Sequence, residues 1–159
     1  IYFININNMI TIQKMKKYIQ TILILFTLTS CSQNAIEMKT PENANQKFNE
    51  FISKKKFVEK PYPNFYLGIA DEKMRPIFTE KINQVALDFK SVAESKKPTD
   101  KEYQEKIRIG LLRFKDIYLD LDTEDREQVC VYFEELMDIV GLESSNGQLN
   151  KFLYGFDPN

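Results

Sequence analysis

Histidine is absent from all 159 residues, and that absence bounds function more tightly than any motif the chain contains. Without imidazole there is no Ser-His-Asp or Cys-His nucleophile, no HExxH zinc site and no histidine-bearing zinc or non-haem iron centre. Glycine is scarce too, with five in the chain. Neither a GxGxxG nor a GxxxxGKS/T phosphate cradle occurs, which argues against nucleotide chemistry. Tryptophan is missing, so aromatic recognition of sugars or peptides would rest on tyrosine and phenylalanine. The cysteines number two, Cys31 and Cys130, and no acidic residue precedes Glu37.

The acid-free N-terminus has a recognisable order. Lys16-Lys17 precedes a run from Ile19 to Leu28 that is apolar apart from Gln20, Thr21 and Thr27. That is the length of an export-signal core and too short for a bilayer span, which needs roughly 20 apolar residues. The two lysines supply the positive segment that stays on the cytoplasmic side. Leu28-Thr29-Ser30-Cys31 closes the run, and residues 15 to 31 resemble a bacterial lipoprotein signal ending in a lipobox. Leu28 sits three before the cysteine, with Thr29 and Ser30 where alanine and glycine are commoner. The resemblance implies a diacylglyceryl group on Cys31, cleavage after Ser30 and an address in the cell envelope, anchored to a membrane through that lipid. Two or more acyl chains make such attachment stable. The competing readings are a plain secretory signal and a buried cysteine after a core helix.

Ser32 follows the cysteine where, in some envelopes, an aspartate would mark inner-membrane retention, which favours the outer membrane. Residues 1 to 14 fit no part of a signal, so Met15 is the expected start and the stretch before it an upstream segment. Residues 15 to 30 are then the signal peptide and residues 31 to 40 a polar tether. Once Cys31 is lipidated, Cys130 has no disulfide partner, and stability has to come from packing.

Residues 41 to 159 form one domain of a size that buries a proper core. Its apolar spacing predicts an all-α fold, an antiparallel four-helix bundle with a short fifth C-terminal helix. Thr40 as cap and Pro41 at the first position open a helix over 41 to 58, whose stripe is Ala44, Phe48, Phe51, Ile52 and Lys55. Lys54-Lys55-Lys56 complements the dipole at its end, or docks anionic headgroups near the tether. From Pro76, the residues Phe78, Ile82, Val85, Phe89 and Val92 trace a second stripe. Thr99 and Glu102 have capping-box spacing before a third helix carrying Tyr103, Ile107, Gly110, Leu111, Phe114, Ile117, Tyr118 and Leu121. Gly110 costs about 1 kcal/mol inside a helix, and close approach of a neighbour explains it. A fourth helix starts at Asp122-Thr123, buries Val129, Phe133, Leu136, Met137 and Val140, and stops at Gly141, with Leu142 folding back. Ser145 and Gln148 offer another capping box before Leu149, Phe152 and Leu153, and Phe156 returns to the core.

Between the first two helices, the stretch from Pro61 to Gly68 is too proline-rich for helix and too aromatic for an indifferent loop. Burial of Phe65 and Leu67 across the bundle would avoid an exposed apolar patch. A ligand-binding or partner-binding lip of Tyr62, Phe65 and Tyr66 is the sharper alternative. Asp120, Asp122 and Glu124 resemble the opening ligands of a calcium loop, but Asp125 stands in place of its glycine and Val131 in place of its final glutamate. Helix capping explains these acids better. Glu134, Glu135 and Asp138 place two carboxylates four apart on one face, and a carboxylate metal bundle would pair such acids with histidine. No metal or other cofactor is expected. Cys130 lacks an activating base and reads as a buried thiol.

Charge is segregated. From Asp116 to Glu143 there are ten acids against the single base Arg126. Residues 1 to 30 carry three lysines and no acid, so the remainder is more acidic than the net charge of −1 for the whole chain. Nucleic acid is a poor partner for such a domain, whereas a basic protein suits it. The leading expectation is a lipid-anchored binding, scaffold or inhibitor-like module, with Glu134, Glu135 and Asp138 in its acidic face. The competing class is a carboxylate enzyme working without histidine on cell-wall glycans or peptides, because two-carboxylate glycoside hydrolysis needs no imidazole.

Overall fold

A computed structural model of the chain describes residues 35 to 63 and 65 to 155. The lipobox, Cys31 and Phe156 lie outside the described residues. The described residues form five α-helices: α1 (Ala44–Ser53), α2 (Arg75–Ala93), α3 (Asp100–Leu112), α4 (Thr123–Val140) and α5 (Gln148–Tyr154). A 3₁₀ helix, Lys115–Asp120, lies between α3 and α4. α2 is the hub, packed against α1, α3 and α4, while α5 covers α3 and α4. The expected all-α bundle with a short last helix is what the chain forms.

The two long stripes sit where their spacing puts them. Phe78, Ile82, Val85 and Phe89 of α2 are fully buried, as are Val129, Phe133 and Leu136 of α4. Rings dominate this core. A continuous series of edge-to-face contacts runs Phe51, Tyr132, Phe57, Phe78, Phe114, Phe152 and Tyr118, with centroids 5.1 to 6.4 Å apart. Such pairs stabilise beyond their buried area. Gly110 is the point where α3 meets this core. A Cβ there would lie 2.7 Å from Val85 Cγ2 and 2.8 Å from Phe133 Cζ, so close approach is the reason for the glycine.

The helix ends depart from expectation in instructive ways. The Thr99–Glu102 capping box forms in full, and Gly141 closes α4 at φ 73° with the Leu142 amide donating to Met137 O at 2.9 Å. α1, however, is shorter than the expected 41 to 58. It begins after Asn43 with no side chain capping it, and the Thr40 hydroxyl instead points at the end of α2, donating to Ala93 O at 3.1 Å. It ends at Ser53, because the fully buried Lys56 folds back onto the terminal carbonyls, Phe51 O at 2.6 Å among them. The third helix does not continue to Leu121. Lys81 of α2 donates to Arg113 O at 2.7 Å, and the chain tightens into i→i+3 bonds from there. The Ser145 capping box does not form. Gly147 at φ 74° takes the cap position and the Gln148 side-chain Nε2 donates to Gln104 Oε1 at 2.8 Å.

The compact unit starts at Ala35, earlier than the expected Pro41. Residues 36 to 40 lie as a strap on the α2–α3 corner. Met38 donates its amide to Pro98 O at 2.8 Å, Asp100 donates to Ile36 O at 3.0 Å, and Ile36 donates to Asp100 Oδ1 at 2.7 Å. Backbone pairing of this kind leaves no periodic trace in the sequence.

Candidate functional site

α4 presents two faces of opposite character. Its inner face holds the buried stripe together with Asp125, Gln128 and Tyr132. Its outer face carries Glu124, Glu127, Val131, Glu134 and Asp138 at spacings of three and four, all exposed. Residues so spaced share one side of a helix. None of the four acids makes an ion pair among the described residues. Val131, 42% exposed, sits in their midst. The result is a solvated anionic stripe with an apolar centre.

Glu135 does not belong to that stripe. Its carboxylate accepts from the Lys54 ammonium, which lies 4.5 Å from the Phe51 ring centroid and 5.5 Å from that of Tyr132. The three acids expected to act together therefore divide, with Glu134 and Asp138 facing outward and Glu135 turned toward the end of α1. Lys60 joins the same junction at 5.2 Å from the Tyr132 ring. Burial pushes the Lys56 ammonium down to about 8, with Lys54 adding to the effect and Glu135 opposing it. Burial lowers Lys60 as well. The Tyr132 hydroxyl accepts from the Phe57 amide at 2.8 Å, and burial holds its phenol up at about 12. This junction is structural: it fastens the chain leaving α1 to the middle of α4.

The proline-aromatic loop is fastened one step further along. Lys60 and Tyr66 exchange backbone hydrogen bonds at 2.8 and 3.1 Å. Tyr66 is buried and its hydroxyl donates to Asp125 Oδ1. Burial first, then this bond, drive the phenol well above its ordinary range. Burial also raises the Asp125 carboxyl, the Tyr66 bond opposing it. Asp122 caps α4, accepting from the Asp125 amide at 2.8 Å.

The expectation that Phe65 and Leu67 cross the bundle is overturned. Both are 64% exposed, and Tyr62 is 88% exposed. Extended backbone sends successive side chains to opposite sides, so seating Tyr66 turns its neighbours outward. The signal for this was the polar handle of Tyr66, which needs a buried partner, combined with period-two alternation. Of the proposed lip, Tyr62 and Phe65 are free to meet a partner and Tyr66 is not.

Cys130 is buried, with its thiol directed at Leu149 O at 3.8 Å, and burial with Glu134 and Glu127 nearby pushes it up to about 12. That is the reverse of an activated nucleophile. Among the described residues no three metal-binding side chains cluster, and no helix is long and apolar enough to cross a membrane.

The helix order and this core define an all-α bundle held together by buried rings. The chain belongs to a family described as a domain of unknown function (DUF4844), which it matches over residues 39–157. It is similar to a DUF3571 family protein from Acinetobacter baumannii AYE, known from a 1.95 Å crystal structure, at 34% identity and a TM-score of 0.64. That similarity covers 72% of this chain and 94% of the other. No curated protein matches the chain.

Proposed function

We propose that this chain is an envelope lipoprotein, held at a membrane through Cys31, whose helical domain is a binding module for a basic protein partner. The observation that carries the reading is the outer face of α4. Four exposed acids, Glu124, Glu127, Glu134 and Asp138, have no ion pair among the described residues and surround an exposed valine. Folded chains ordinarily mix both signs over their surface, and a stripe of one sign steers an oppositely charged partner into contact. Tyr62 and Phe65 stand exposed on the loop that Tyr66 fastens to Asp125. Aromatic side chains are the residues interfaces favour.

The strap shortens the tether. Only the stretch from Cys31 to Ile36 is left to span the gap, at most about 17 Å when fully extended. A module on so short a leash meets partners close to the lipid surface.

Chemical cross-linking on native membranes, followed by capture, tests the reading. Wild type is expected to recover a basic protein in a salt-sensitive manner, and Glu127→Lys with Glu134→Lys and Asp138→Lys is expected to lose it. Equal recovery by the charge-reversed chain would refute the acidic stripe as the contact. Metabolic labelling with a fatty acid, present in wild type and absent in Cys31→Ala, tests the anchor separately.

A further inference from the structure

On another part of the bundle, α3, the 3₁₀ helix and α5 enclose an open groove of about 780 Å³. That volume lies within the range of small-molecule sites, about 300 to 1,000 Å³. Its walls are hydrocarbon and ring: Leu111, Leu112, Leu119, Tyr118 and Phe152. Leu119 is 97% exposed at the mouth and Leu112 is half exposed, an apolar surface without cover among the described residues.

The rim is cationic. Arg108, Lys115 and Lys151 line it, and no carboxylate does. Arg108 is engaged by Glu105, at 2.6 and 2.8 Å. Lys115 and Lys151 have no ion pair among the described residues. Two uncommitted ammonium groups thus stand over an apolar trough, in a chain whose net charge is negative.

The walls are also preformed. The Tyr118 hydroxyl donates to Phe152 O at 2.8 Å and accepts from Arg126 at 3.2 Å, while the Phe152 ring meets Phe114 and Tyr118 edge to face. Gln148 is held by Gln104. These bonds engage the Tyr118 hydroxyl, the Phe152 carbonyl and the Gln148 side-chain Nε2, so the trough offers few acceptors to a peptide backbone, whose buried amides are costly without partners. A hydrocarbon chain makes no such demand. We infer that the groove binds a free long-chain fatty acid, its alkyl chain along Leu111, Leu112, Leu119 and Phe152 and its carboxylate at Lys115 and Lys151. The inference uses neither Cys31 nor the α4 acids and goes beyond the partner reading.

The test is titration of the full chain with cis-parinaric acid as a fluorescent probe, displaced by palmitate or by hexadecanol. Saturable binding displaced by palmitate is expected. Lys115→Glu with Lys151→Glu should weaken palmitate about tenfold, the scale of two exposed charge contacts, while leaving hexadecanol unchanged. Leu119→Asp should abolish both, with circular dichroism showing that each variant retains its helix. Absence of saturable binding, or equal palmitate affinity in the charge-reversed chain, would overturn the proposal. So would a concentration-dependent dimer, seen by sedimentation, that Leu119→Asp dissociates and palmitate leaves intact; the groove would then be covered by a second copy.

Discussion

Lys56 is the residue whose position says most about how this chain closes its first helix. A lysine in a basic triplet reads as a solvated helix end, whereas the three lysines follow α1, which has no base in its last turn, and Lys56 reaches back to the terminal carbonyls. The sequence could not show that Lys56 would be fully buried, because its ammonium lies 4.6 Å from the centroid of the Phe51 ring, and that ring is seated against Tyr132 of the distant α4. Lys56→Met keeps the buried stem and strands the Phe51, Ile52 and Lys54 carbonyls. A loss of about 1 to 3 kcal/mol is expected in urea melts. The pH dependence has a definite sign. Because the folded-state value is lowered from 10.5 to about 8, the unfolded chain binds more protons between those values, and stability due to this group rises with pH across that window. Wild type should therefore gain on Lys56→Met between pH 8 and 10.5, and a flat difference across that range would contradict the burial of a titrating amine.

At the scale of elements, α2 and α4 were legible because their apolar positions recur at three and four. The Thr99 box and the Gly141 stop were legible because capping is local chemistry. Gly110 was legible as a close approach, though not which neighbours it admits. Gly110→Ala sets a helix gain of about 1 kcal/mol against overpacking on Val85 and Phe133, which costs about 1 to 3 kcal/mol. A lower melting temperature is expected, with partial recovery when Val85→Ala makes room. The break after Leu112 was not legible, since the bond from Lys81 that accompanies it comes from another helix. Its consequence reaches the groove. Leu112 on the last turn of α3 and Leu119 on the 3₁₀ helix, which belonged to no predicted stripe, both stand at the surface of the groove beside α5. Two leucines off the periodic face were the available signal.

For the whole molecule, the segregation of charge was plain in the sequence, but its division was not. Only a folded α4 separates Glu134 and Asp138, facing water, from Glu135, paired with Lys54. The strap was equally hidden, being held by backbone groups whose partners lie some 60 residues away. Asp100→Ala removes its side-chain contact to the Ile36 amide. In hydrogen exchange, the amides of Met38 and Asp100 should then exchange faster while those of α4 keep their protection. Opening confined to this corner is a local event, costing less than global unfolding. Under the proposed anchor at Cys31, peeling the strap away would free residues 36 to 40, adding about 17 Å of reach to a leash otherwise five residues long. With Cys31 acylated as proposed, the few hydrogen bonds at Pro98 and Asp100 would act as a latch on a reel, setting how far from the lipid the folded domain is able to stand.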